Sequence, residues 1–493
     1  MENACRTALT GALIAVAATG CTLGPDFRQP ATPPSAYPEP PATSGAQKLQ
    51  YGTEVAADWY TLFGSEAINQ LVREALRANP DLEAARHNLR AAQYELEAVA
   101  GTALPQVELD AGASRAKVNG SLLYEPDSAL QVSANQYAIG PSLAYDLDIF
   151  GRLRRTIEAQ AAQTSSVQRQ TLNVYITLVD QIVTVAFDYA AAVEQIEVTR
   201  RLVADLQSQY DLTRLLEDSG KLVRSETLQA RAQLETTRAT LPALEKQRDV
   251  YRNSLLQLTG KAPQKGDVPR ISLRDFTLPA QLPVSVPSQL VRQRPDILEA
   301  EDLLHEASAA IGIAEAARFP DLSLSGQFAQ QSIKTADLFT HSASIWSAGA
   351  SITAPLFEGG TLRAREQEAR ARFIQAQSQY RSTVLGAFVE VQNTLEALQH
   401  DADDYTAHTQ ALEAAGENRD LARQQFEQGR VNELVVLTAE QQYQNAVLGE
   451  IQADVQRFAD TARLFHALGG GWWQAPLPGI TAAGDGTSRG GRP

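Results

Sequence analysis

The chain of 493 residues is poor in the groups that reveal an enzyme. Its only cysteines, Cys5 and Cys21, lie near the start, so no disulfide framework exists deeper in the chain. Six histidines are scattered, and only His400-Asp401-Ala402-Asp403-Asp404 gathers possible metal ligands; that run reads as a solvated helix face. No G-x-S-x-G occurs. The triplet Gly469–Gly471 follows a helical stretch rather than a strand, which makes it a helix stop and not a phosphate cradle. Net charge is −15 with no basic stripe, which sets nucleic-acid binding aside. Aromatics are 6% and methionine occurs once, so small residues must fill the helix packing. Past the leader no segment reaches about 18 unbroken apolar residues, the length of a membrane helix. Any spanning part is then a β-barrel.

The apolar stretch Gly11–Ala18 fits a signal-peptide core, and residues 1–20 read as the signal peptide. Ala18-Thr19-Gly20 before Cys21 resembles a lipobox, with Ala18 where Leu is usual. Cleavage there leaves Cys21 to carry lipid, a covalent group and the only one expected, with no metal or other cofactor. The alternative is a plain secretory signal that leaves Cys21 a free thiol. Thr22, not Asp, follows it, which favours the outer membrane. Residues 21–65 form an extended, Pro-rich lead.

Internal similarity is the main signal. Asn79-Pro80-Asp81 recurs as Arg294-Pro295-Asp296, and Val107 and Leu109 match Leu322 and Leu324 at the same spacing. Further on, Gly140 matches Gly349, and Leu143, Gly220 and Leu228 match Ile352, Gly429 and Leu437 without a gap. The chain is a tandem duplication: a repeat over 66–260, a Pro-rich linker over 261–287, a repeat over 288–469 and a Gly-rich tail over 470–493.

Each repeat reads as helix, two strands, long helix, turn, helix. Asn79 is an N-cap and Pro80 suits the first helical position. Leu82, Ala85, Leu89, Ala92, Leu96, Val99 and Ala103 mark a seam of threes and fours, and Ile297, Ala300, Leu304, Ala307, Ile311 and Ala314 repeat it. Residues 152–218 contain no Pro or Gly and predict one helix about 100 Å long; 362–427 is its counterpart. Shorter helices are expected over 221–258, with a kink or break at Pro242, and over 430–468. Alternating apolar and polar residues predict strands over about 105–118, 133–148, 321–332 and 343–356, each long enough to cross a membrane. Tyr137 and Trp346 share a repeat position and suit an interfacial girdle, with Tyr145 and Phe328 as further interface aromatics. Four strands cannot close a barrel, so several copies must join, and three would give twelve strands.

Cys21-Thr22-Leu23-Gly24-Pro25-Asp26-Phe27, Asp58-Trp59-Tyr60-Thr61-Leu62-Phe63, Asn79-Pro80-Asp81, Arg294-Pro295-Asp296 and Leu468-Gly469-Gly470-Gly471-Trp472 together resemble the outer-membrane factor (TolC-like) family, in the lipoprotein branch serving resistance-nodulation-division (RND) pumps. The resemblance covers almost the whole chain. It implies a mainly α fold with membrane β: a homotrimer whose twelve-stranded outer-membrane β-barrel continues into a twelve-helix periplasmic α-barrel. It implies a passive duct for drugs or other small molecules, fed by an inner-membrane pump through a periplasmic adaptor, with outer-membrane lipid around the barrel. Gly220-Lys221 and Gly429-Arg430 are then the periplasmic tips that meet the adaptor. The family narrows its aperture with Asp side chains, but Thr438 stands in the usual place. Glu226 and Glu433, with Arg224 beside them, are the gate candidates, Glu226 taking over part of the constriction. The alternative is that these are solvated charges. A lipid-anchored coiled-coil adaptor without a pore would explain the helices but not the four strands.

Overall fold

The computed structural model describes residues 22–31, 47–119, 131–264, 267–285 and 287–474. The candidate signal peptide, Cys21, residues 32–46 of the extended lead and the tail from residue 475 lie outside the described residues. The elements in chain order are β1 (Lys48–Tyr51), α1 (Glu66–Ala78), α2 (Pro80–Gly101), β2 (Gln106–Asn119), β3 (Gln131–Leu147), α3 (Arg152–Asp218), α4 (Arg224–Arg238), α5 (Leu241–Leu258), β4 (Gln281–Val284), α6 (Pro287–Gln293), α7 (Pro295–Ala316), β5 (Asp321–Ser332), β6 (Ser344–Thr353), α8 (Thr361–Glu427) and α9 (Glu433–Ala467). α3 and α8 each run unbroken for 67 residues.

The chain divides into two compact units. The first takes residues 1–30, 90–167 and 300–380, and holds the antiparallel sheet in the order β2-β3-β5-β6. Its N-terminal strap is clamped by Arg155, which is 4% exposed. Arg155 Nε donates to Leu23 O at 3.0 Å, and Arg155 Nη2 to Asp26 Oδ1 at 2.7 Å. Phe27 stacks on His305, with centroids 4.3 Å apart. Gly24 passes so close to Gly312 that a Cβ on either would overlap the other strand of chain.

The second unit takes residues 31–89, 168–299 and 381–493. Six aromatics pack together in its core. Phe63, Phe187, Phe276 and Phe458 lie edge to face or tilted at 4.9–6.1 Å, and Trp59 packs on Phe465 at 5.2 Å. Each such pair adds about 0.5–1.5 kcal/mol beyond area burial. Asn79 caps α2 by accepting from Leu82 N at 2.9 Å, and its Nδ2 donates to Leu258 O, closing α5 onto the same corner. One window of α3 has the length and hydropathy of a membrane span; it contains Asp180 and Asp188 and is more than half buried within the chain.

Several predicted boundaries need correction. The break expected at Pro242 is present and falls slightly earlier: α4 and α5 part at Ala239–Thr240, because Pro242 in the first turn of α5 can donate no hydrogen bond to a preceding turn. The linker 261–287 is not a plain spacer: its β4 pairs in parallel with β1, Lys48 opposite Gln281. α1, unread in the sequence, is capped by the Ser65 hydroxyl. β6 ends at Thr353 rather than 356, since Pro355 lacks an N–H for the ladder. The second-repeat helix starts at Glu433 rather than 430, and α4 starts at Arg224 rather than 221.

Candidate functional site

The four-stranded sheet has two chemically opposite faces. Antiparallel register places Val107 opposite Leu143, Leu109 opposite Pro141, Tyr145 opposite Leu324, Leu322 opposite Ile352 and Phe328 opposite Trp346. Residues directly opposite share a face, so these form one apolar surface, and Val107, Leu109, Phe328, Trp346 and Ile352 are all exposed on it. The other face carries Glu108, Asp110, Ser142, Asp146, Ser323 and Ser351, with Ser142 Oγ donating to Asp110 Oδ2 at 2.6 Å and Ser323 meeting Ser351 at 2.8 Å. Apolar on one side and hydrogen-bonded polar on the other is the pattern of a lipid-facing wall around water. Among the described residues the outer strands β2 and β6 each have one unpaired edge.

Tyr137, Tyr145, Phe328 and Trp346, the aromatics the sequence suggests for an interfacial girdle, all lie on the apolar face. Gly140 sits on the polar face where β3 and β5 come together: a Cβ there would overlap Phe328 O and Ala329 Cα. Only glycine permits that approach. Next to it Pro141 has no N–H to give, and β3–β5 pairing skips these two residues while the register on either side stays the same.

The turns between α3 and α4 and between α8 and α9 are built alike. Gly220 and Gly429 have φ of 70° and 69°. Lys221 N donates to Leu216 O, and Arg430 N to Gln425 O, both at 2.9 Å, in the left-handed helix ending that glycine favours. Lys221, Arg224, Glu226, Glu433 and Thr438 are all exposed. Among the described residues no ion pair joins Glu226 or Glu433 to Arg224 or to Arg430 of the second tip. Thr438 turns its hydroxyl back to Leu434 O at 2.8 Å. Glu440, another acid near this tip, is bound by Arg423 at 2.6 Å and by Gln444, so it serves the α8–α9 contact. Below the tip Leu234 is buried between Leu202 and Leu206 and fixes α4 to α3.

Two charged networks escaped the sequence reading. Arg294 Nη1 donates to Ala467 O and meets Glu390 Oε2, both at 2.7 Å, while Asp296 grips its other edge. Asp180 lies near His466, Arg463 and Glu390, and burial raises its pKa. Of the solvated face expected at 400–404, His400, Asp403 and Asp404 are exposed, and Asp401 is the exception. Asp401 Oδ2 is sealed from water without a donor, and burial and then Asp460 push the carboxyl up to about 7. Asp460 is 2% exposed and takes Arg463 and Gln456 as donors. Asp454, six residues earlier on α9, is pushed up to about 6, chiefly by burial and then by Glu450. No group of ligands that could hold a metal occurs among the described residues.

The profile described as outer membrane efflux protein matches residues 71–261 and 286–470, one match per repeat. The cation efflux system protein CusC of Escherichia coli O6:H1 is 31% identical, over 94% of this chain and 98% of its own. The antibiotic efflux pump outer membrane protein ArpC of Pseudomonas putida is 29% identical, over 94% and 97%. The solved outer-membrane channel OprN superposes with a TM-score of 0.80 at 28% identity, over 92% of this chain and all of that one. With strands, long helices and both repeats matched, the chain belongs to the outer membrane efflux protein family and is an outer-membrane efflux channel.

Proposed function

We propose that three copies of this chain close their sheets into one twelve-stranded barrel and form a passive duct, fed from an inner-membrane RND pump through a periplasmic adaptor. The observation that carries this is the sheet with one apolar face, one polar face and two unpaired edges. Open edges are not tolerated in lipid, and the smallest membrane barrels have about eight strands, so one chain is not enough. The paired tips at Gly220-Lys221 and Gly429-Arg430 are the adaptor-facing ends. Cys21 carries the lipid; the contact of the next residue, Thr22, with Gly151 in the turn after β3 supports an anchor near the end of the barrel strands. A duct wall does not choose its cargo. The relatives named for cations and for antibiotics fit that division of labour, in which the pump selects.

Glu226, on the exposed first turn of α4, narrows the resting aperture together with Glu433. Planar-bilayer recordings of the purified protein test both parts. A stable ohmic conductance that rises in Glu226→Ala, and further with Glu433→Ala, is expected. An unchanged conductance in both variants removes the gate assignment, and the absence of any conductance removes the duct.

A further inference from the structure

The tandem repeat fixes how one copy pairs with the next. Repeat mates are 215 residues apart in the first strand of each hairpin, as Leu109 and Leu324, and 209 apart in the second, as Gly140 and Gly349. These offsets hold in three dimensions. Val107 lies opposite Leu143, and their mates Leu322 and Ile352 lie opposite each other; Asp110 lies opposite Gly140, and Ser325 opposite Gly349. Two different hairpins therefore have one register.

The junction between the hairpins, β3 with β5, is the only repeat-to-repeat strand contact among the described residues. It pairs Ser142 with Gln327, Leu143 with Gly326 and Leu147 with Leu322. The free edges are the mates of these two strands: β6 is the mate of β3, and β2 of β5. We infer that β6 of one copy pairs antiparallel with β2 of a second copy in the register of the β3–β5 junction, so that Ser351 faces Gly112, Ile352 faces Ala111 and Leu356 faces Val107 of that second copy. This rests on the multi-copy barrel proposed above and supplies the residue register that the proposal leaves open.

Exposure at the edges supports this occupant. Leu356 and Phe357, just past β6, are 96% and 90% exposed, and Val107 on β2 is 69% exposed. Inside the chain the corresponding place is filled: Phe319, the mate of the exposed Leu104, stacks on Phe150 at 4.9 Å. A second copy in this register covers Leu356 with Val107 and brings Leu104 to the turn that carries Phe357. A slip of one residue would turn the apolar face of one strand into the lumen, so the competitors are slips of two.

Cysteine pairs read the register directly. Gly112 has open space around a Cβ, and Ser351 is exposed, so both accept the substitution. The full-length chain carrying Ser351→Cys and Gly112→Cys is oxidised in outer membranes with copper-phenanthroline, beside the unsubstituted chain, which has only Cys5 and Cys21. Most of the monomer band is expected to shift to a covalent trimer and return on reduction. The slipped pairs, Ser351→Cys with Asp110→Cys or with Ser114→Cys, are expected to stay at least fivefold lower. A second on-register pair, Ser347→Cys with Ala116→Cys, both exposed, repeats the test should the first fail to insert. Native mass is measured on every variant. A trimeric mass with cross-links at a slipped pair, or at neither on-register pair, overturns the register and leaves the trimer standing. A monomeric mass with no inter-chain link overturns the trimer itself.

Discussion

Asp401 has no donor for a buried oxygen and faces the carboxylate of Asp460 across α8 and α9. A proton held between them supplies the missing donor. The folded carboxyl titrates near 7 against an ordinary value of 3.8, so the folded chain keeps a proton that the unfolded chain releases. Stability from this site is therefore full in acid and falls as pH rises from about 4 through about 7. Asp404 adds to the rise and Arg457 opposes it. Asp401→Asn should raise Tm by about 2 °C at pH 8, the shift that about 1 kcal/mol gives in a chain of this size. Water on the exposed half of the group keeps the effect that small. At pH 5 the gain should vanish; a gain independent of pH would contradict the shared proton. Sequence could name Asp401 but not its environment, because Asp460 lies on another helix 59 positions away. The same holds for Arg155 and Arg294, whose partners come from segments far along the chain.

The long helices were legible because they are defined by absence. The stretch 152–218 has neither Pro nor Gly, and α3 occupies it. Glycines at the tips were legible for the opposite reason, since a left-handed residue must end each long helix. β4 was not legible: four residues pair in parallel with β1 more than 230 positions earlier, a contact no local pattern encodes. The narrow attachment of α4 is where the tip is weakest. Leu234→Ala removes the side chain buried between Leu202 and Leu206 and should cost about 2–5 kcal/mol of local stability. Hydrogen exchange checks it: amides of α4 should exchange faster while those of the aromatic core near Phe187 stay protected. Equal loss of protection in both would mean that α4 is not a separable element. Within the sheet, Gly140→Ala forces β3 from β5 at their closest approach and should reduce the amount of folded protein recovered from the outer membrane severalfold. Unchanged recovery would mean that the strands can part there at little cost.

For the whole molecule, the duplication explains both what one chain completes and what it lacks. Two hairpins in one register make a sheet whose free edges are the mates of its own inner strands. On the polar face Ser142 donates to Asp110 and Ser323 meets Ser351, and among the described residues Val107, Leu109, Phe328, Trp346 and Ile352 stand exposed on the apolar face. Family membership says that this surface belongs in the outer membrane. How many copies share it follows from strand arithmetic and lipid chemistry rather than from any motif. The most direct measurement is single-particle imaging of the full-length protein purified from outer membranes in mild detergent. The account predicts a three-fold particle with a closed barrel inside the detergent belt and a helical stem on one side of it. A monomeric or dimeric rod with no lumen would contradict it.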